Sequence, residues 1–207
     1  MLPAGILPGR TKTHMIRIAV LGVLGAETAL RLLEEHKKVL ENRFSGYFIR
    51  RCKGLGAKAV REQEIMPSGG KIPDGFYFTP IGEGGLFGAL WKACEELQQD
   101  MYSWTGKSIG CEVDLETVPV AQEVTEICEL YREDPLETSS EGAWLLIWEE
   151  EKEDALKDSG LCIPEQSAII GKLTQKKRRV VFLGDRTRFL TPTERQKLDM
   201  QNTKNEV

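Results

Sequence analysis

The segment Phe78-Thr-Pro-Ile-Gly-Glu-Gly-Gly-Leu-Phe-Gly-Ala-Leu-Trp91 constrains this chain more than any other. A short β-rich run, Phe76 to Thr79, meets glycines at 82, 84 and 85 and passes into Leu86 to Gln98. There Leu86, Leu90, Ala93 and Leu97 share one helical face. Such a strand, glycine turn and helix has two uses. Glycine lets the backbone come close to a ligand, and the first free N–H groups of the helix then form an anion site. The same residues also pack a helix tightly onto a sheet. With neither a Lys-Ser/Thr pair nor a GxGxxG frame, Thr79, Gly82, Glu83, Gly84, Gly85 and Leu86 form a candidate ligand or anion site, short of a phosphate loop.

The rest of the chain repeats the interleaving. Ile16 to Leu21 is β-rich and ends at Gly22, and Ala26 to Leu40 reads as one amphipathic helix. A shorter helix is expected through Tyr47 to Val60, weakened by Gly54 and Gly56. Met66 to Gly75 is a Pro/Gly-rich loop, either a bland insertion or a lid over the glycine turn. Further strands are expected at Ile109 to Leu115, Ala143 to Trp148, Ala168 to Leu173 and Val180 to Leu183, the last two joined by a basic turn. Helices are expected at Gln122 to Tyr131 and, acidic and stopped by Gly160, at Glu149 to Ser159. The pattern predicts an α/β or α+β sandwich, a mixed sheet covered by helices, over residues 16–190. Residues 1–15 form a loose arm and 191–207 a polar tail, with one helical turn begun at Thr193.

With 207 residues and a net charge of −4, the chain has the size of one domain and no electrostatic reason to approach phosphate backbones or anionic lipid. Its longest basic run, Lys176 to Arg179, is too short to change that. No apolar run approaches the ~18 residues of a membrane span, and the broken N-terminal stretch is no signal sequence. Nucleic acid and membrane are therefore not expected partners. The five cysteines, at 52, 94, 111, 128 and 162, contain no CxxC pair, and those among apolar neighbours read as buried thiols. A reducing, cytoplasmic compartment follows.

Side chains for chemistry are sparse. His14 and His36 lie far from any ligand-spaced cluster, so no metal site is expected and no catalytic residue is assigned. The acidic run Glu149 to Asp154 suits a solvated helix start, and Trp144 and Trp148, on one face of a strand, suit core or interface packing.

Taken in order, Glu83 to Leu97 (EGGLFGALWKACEEL), Ile109 to Trp148 and Ala168 to Gln175 (AIIGKLTQ) resemble the C-terminal domain of the aminoimidazole ribonucleotide (AIR) synthase superfamily. Within it they look most like the AIR-synthase-related proteins grouped with the hydrogenase maturation factor HypE. In that family a strand runs into a His-Asp-x-Thr-x-Gly-Gly-Leu turn. Later come an acidic E-x-D strand, a P-V-x-x-E helix start, D-P-L, a Ser-Ser/Glu-Gly turn and a late I-G. The likeness runs from about Gly22, through Leu24-Gly-Ala-Glu-Thr-Ala29, to about Leu190.

The resemblance implies a domain that works behind an N-terminal ATP-binding domain. In AIR synthase, selenophosphate synthetase, thiamine-monophosphate kinase and HypE, that first domain forms the dimer and holds magnesium and ATP. The chain is expected to correspond to the back half alone. It would then need no cofactor of its own, with ATP and magnesium entering only if a separate ATP-binding domain is supplied. The turn also departs from the family pattern: Thr79 stands where the family has His, Pro80 where it has Asp, and Gly82 where it has Thr. HypE carries a C-terminal cysteine as carbamoyl acceptor, whereas this chain ends Thr203-Lys-Asn-Glu-Val207, so carbamoyl dehydration is not expected.

Two functions follow as expectations. One is a non-catalytic domain that binds a small phosphorylated ligand or a protein partner, as a homodimer, with a possible link to hydrogenase maturation. The alternative is the C-terminal half of a split ATP-dependent enzyme whose ATP-binding domain is a separate chain. A third, an unrelated activity on the same fold, is recommended by no residue cluster.

Overall fold

The computed structural model describes residues 15–65, 75–100, 108–154 and 163–192. The N-terminal arm except Met15, the 66–75 loop except Gly75, residues 155–159 of the expected acidic helix, and the tail beyond Pro192 lie outside them.

Seven strands form one mixed sheet: β1 (Ile16–Leu21), β2 (Phe76–Pro80), β3 (Gly110–Asp114), β4 (Trp144–Glu149), β5 (Ser167–Thr174), β6 (Arg179–Leu183) and β7 (Arg186–Phe189). Their spatial order is β2-β4-β1-β5-β3-β6-β7. Every pairing is antiparallel except that of β3 with β6. β1 takes its place near the middle because both its faces are apolar. Ile16, Ile18 and Val20 point to one core cluster, and Ala19 and Leu21 to another.

The first of these faces is covered by helix α5 (Gly85–Asp100), whose Leu86, Leu90, Ala93, Cys94 and Leu97 pack onto β1, β3 and β4. Burying each of those leucines contributes about 1.5–3 kcal/mol before chain entropy is counted. Among the described residues the opposite face is covered at one end, where Val60, Ile65 of the short helix α4 (Glu62–Ile65), and Trp144, Phe76 and Phe78 meet Leu146 and Trp148. Elsewhere that face is polar, with Arg17 bonded to Glu150 and Lys172 to Glu112. A separate cluster joins α1 (Ala26–Glu35), α2 (Lys37–Arg43), α3 (Gly46–Lys53) and α6 (Gln122–Tyr131), and touches the sheet core through Val120.

Among the described residues the expected elements hold in place and type, apart from the unexpected α4 and the following differences. The helix expected over Ala26 to Leu40 is two helices, because His36 leaves the helical region (φ −117°, ψ 26°) and stacks on Tyr131 of α6 at 4.3 Å. The helix expected through Val60 ends at Lys53, after which Gly54–Lys58 form a tighter 3₁₀ turn. Ser45, whose oxygen accepts the Phe48 N–H at 3.2 Å, caps its start. Glu149 ends β4 and Glu150–Lys152 follow as a 3₁₀ turn, so the expected acidic helix starts later, with Glu153 and Asp154 helical. β7, with its four residues Arg-Thr-Arg-Phe all exposed, lacks the apolar alternation that would reveal it and exists by pairing with β6.

Candidate functional site

The glycine turn sits where β2 hands over to α5. The Ile81 N–H donates to the Ala143 carbonyl at 2.9 Å, tying the strand end to β4, and the Gly85 N–H donates back to the Gly82 carbonyl at 3.1 Å. Gly84 and Gly85 adopt φ of +84° and +59°, conformations that favour glycine. Space demands glycine at 85 as well, since a Cβ there would lie 2.5 Å from the Leu136 carbonyl oxygen and 2.7 Å from that of Thr138. Gly82 is different: nothing lies within 4 Å of where its Cβ would be.

Those carbonyls belong to a strap, residues 134–142, that crosses the starts of two helices. At α5 the Phe87 N–H donates to the Leu136 carbonyl at 3.3 Å, while Gly88 bonds Gly84 at 2.9 Å inside the helix. At α1 the Gly25 N–H donates to Ser140 Oγ at 2.8 Å. Thr28 Oγ1 meets Thr138 Oγ1 at 2.7 Å and donates to the Ser139 carbonyl at 3.2 Å. The Glu27 carboxylate accepts the Ser139 hydroxyl at 2.5 Å and the Glu141 N–H at 3.1 Å. Glu27 also lies in the first turn of α1, where a negative charge suits the helix dipole. Strap and turns therefore satisfy each other's backbone groups, and three of the first α5 amides (Gly85, Phe87, Gly88) already have protein acceptors.

The side chains at the turn carry little chemistry. Thr79 is buried, and its hydroxyl hydrogen-bonds the Tyr77 phenol. Tyr77 donates to Glu96, which also pairs with Lys92 at 3.6 Å. Burial first and Glu96 second hold the Tyr77 phenol protonated well above its ordinary range. Pro80 and Glu83 are exposed, and Leu86 is fully buried and can offer only its backbone. The turn thus brings Gly82, Glu83 and Gly84 to the surface and takes Thr79, Gly85 and Leu86 inside. Cys94 and Cys111, fully buried in the neighbouring core, hydrogen-bond each other, which together with burial pushes Cys111 far up. Among the described residues no group of three or more His, Cys, Asp or Glu is placed to hold a metal ion.

Sequence reasoning missed the strap's part in the site, although D-P-L and Ser-Ser-Glu-Gly were visible as motifs. It also missed Arg179, whose guanidinium lies over Trp91 and bonds Glu95, 84 residues away in sequence, with no local signal to announce it.

No protein-family model matches the sequence, and no curated protein matches it. Among solved structures, hydrogenase maturation protein HypE aligns with 86% of this chain and 53% of its own at 20% identity and a TM-score of 0.56. E. coli HypE aligns with 94% of this chain and 55% of its own at 20% identity and a TM-score of 0.55. Thiamine-monophosphate kinase from Stenotrophomonas maltophilia aligns with 82% and 50% at 16% identity and a TM-score of 0.51. The chain spans about half the length of these neighbours. Among the described residues no helix is long and apolar enough to cross a membrane. The chain shares its α/β fold with about half of HypE and of this thiamine-monophosphate kinase.

Proposed function

We propose that the chain is a non-catalytic binding domain of this fold that takes a small phosphorylated ligand at the outer edge of the glycine turn, Gly82 to Leu86. The observation that carries this reading is a kept backbone with lost side chains. Gly84 and Gly85 retain the left-handed turn, while the family's His and Asp positions hold a buried Thr79 and Pro80, neither of which can transfer a proton at neutral pH. Gly82, with open space above it, is where a ligand can approach the backbone. The four described cysteines are free and buried, which suits a reducing, cytoplasmic setting. The test is a titration of the ¹⁵N-labelled protein with inorganic phosphate, AMP and ATP. Saturable shifts of the Gly82, Glu83 and Gly84 amides, without ATP hydrolysis, are expected. Amides that stay still through the millimolar range would overturn the reading.

The half-length span favours a second reading, in which a separate protein supplies an ATP-binding domain and completes an ATP-dependent enzyme. HypE has been crystallised with ATP and in complex with HypF, which makes hydrogenase maturation the pathway in which to look for that partner. Light scattering separates a homodimer from a monomer awaiting a partner. ATP hydrolysis that appears only on mixing with an isolated HypE N-terminal domain would establish the split enzyme over the non-catalytic domain.

A further inference from the structure

About 15 Å along α5 from the glycine turn, at 1.5 Å per residue, the helix presents a second face. Trp91, Glu95 and Gln98 look across to the β5–β6 turn and the end of β7, leaving a cleft of about 590 Å³. Its other walls are Lys177, Arg178, Arg179, Phe189 and Leu190. That volume lies within the 300–1,000 Å³ usual for small-ligand sites, on the order of a drug-sized molecule.

Arg179 gives the cleft its character. It is 5% exposed, its guanidinium carbon lies 3.9 Å from the centroid of the Trp91 ring, and its Nη2 bonds the Glu95 carboxylate. Its Nε and Nη1 are buried with no acceptor among the described residues. A buried cation is costly unless its charge and its donors are met, and here one partly exposed carboxylate meets them in part. Lys177 and Arg178, both exposed, add two more positive charges at the rim. Three cations against one carboxylate leave the cleft electropositive within a chain whose overall charge is −4. Apart from Gln98, the rest of the lining is flat or apolar: Trp91, Leu190 and Phe189, the last 60% exposed.

We propose that this cleft binds a small aromatic oxyanion, a flat ring bearing a carboxylate or phosphate. The ring lies between Trp91 and Phe189 over Leu190, and the oxyanion is held by Lys177 and Arg178 in the field of Arg179. Poor screening of a buried charge strengthens that field. Glu95 keeps the guanidinium in place and leaves the rim cations to the ligand. The site is separate from the glycine turn, and either can exist without the other.

The experiment titrates the ¹⁵N-labelled protein with phenyl phosphate and with benzoate, alongside inorganic phosphate and phenol as the two halves of the ligand. Saturable shifts are expected at the Trp91 indole N–H and at residues 177–179, with one or both aromatic anions tighter than either half; which of the two binds identifies the oxyanion. The double variant K177A/R178A changes only exposed side chains, and is expected to weaken binding by about tenfold or more, as loss of charge-assisted hydrogen bonds implies. Absence of a saturable shift with both aromatic anions, unchanged affinity in K177A/R178A, or inorganic phosphate matching phenyl phosphate would each overturn the proposal. Shifts confined to Gly82–Gly84 would overturn it while upholding the glycine-turn site.

Discussion

Gly85 and Leu136 stand so close that a Cβ on the glycine would lie 2.5 Å from the leucine's carbonyl oxygen. Gly85→Ala must therefore push the strap off α5 as well as hold alanine at φ +59°. A left-handed non-glycine residue alone costs on the order of 1–3 kcal/mol, so a loss of about 3 kcal/mol or more is expected in urea unfolding. Gly82→Ala, three residues away with open space around it, is expected to stay within about 0.5 kcal/mol of the parent. Equal losses for the two variants would remove the strap as the reason for glycine at position 85.

Ser140 is fully buried, and its Oγ accepts the Gly25 N–H at 2.8 Å. In Ser140→Ala that amide loses its acceptor in a water-free place, at a cost of about 1–3 kcal/mol. The measurement is the denaturation midpoint, paired with hydrogen exchange at Gly25, which should speed up well beyond the exchange of the central strands. Unchanged Gly25 protection would show that another acceptor takes over.

Glu123 is 4% exposed in its side chain and is met by Arg51, itself half-exposed. Arg51→Ala strands the buried carboxylate close enough to Cys52 to act on its thiol. Breaking a fully buried pair costs about 3–5 kcal/mol; with one partner half in water, about 2 kcal/mol is expected here. The double variant R51A/E123L should recover part of that loss, because an apolar side chain then replaces an unpaired charge. A double variant less stable than R51A alone would mean that Glu123 serves some purpose other than meeting Arg51.

Burial pushes the Cys52 and Cys128 thiols up from 9.0 to about 11, with Glu123 and Glu133 respectively adding to the effect. Between those values the folded chain keeps protons that the unfolded chain has lost. Stability is therefore full below pH 9 and falls as pH rises through about 11, by on the order of 2–3 kcal/mol per thiol. Chemical unfolding followed from pH 9 to 11 should show the decline, and Cys52→Ala should flatten it relative to its own value at neutral pH. A parallel decline in the variant would assign it to other groups.

The sheet and its helices were legible because burial leaves a period in the residues. Ile16-Arg-Ile-Ala-Val-Leu21 is an almost unbroken apolar run where it must fill two cores, and Leu86, Leu90, Ala93 and Leu97 recur at the spacing of one helical face. β7 left no such trace, because its four residues are all exposed and only hydrogen bonds to β6 make it a strand. The break at His36 was hidden for a similar reason: its cause, the Tyr131 ring, lies on another helix.

From the sequence alone came the order of elements, the acidic overall charge, the glycine turn and the Thr79-Pro80 pair before it. These are properties of adjacent residues, and local chemistry is enough to state them. Tertiary structure decided which amides at the two helix starts the strap meets, because Leu136 reaches Phe87 from about fifty positions away and Ser140 reaches Gly25 from 115. It also decided that Trp91, Glu95 and Arg179 meet, since a parallel pairing of β3 with β6 brings Arg179 beside α5. A stretch of sequence specifies its own backbone preferences, but which buried polar groups answer one another depends on which distant segments the core packs together.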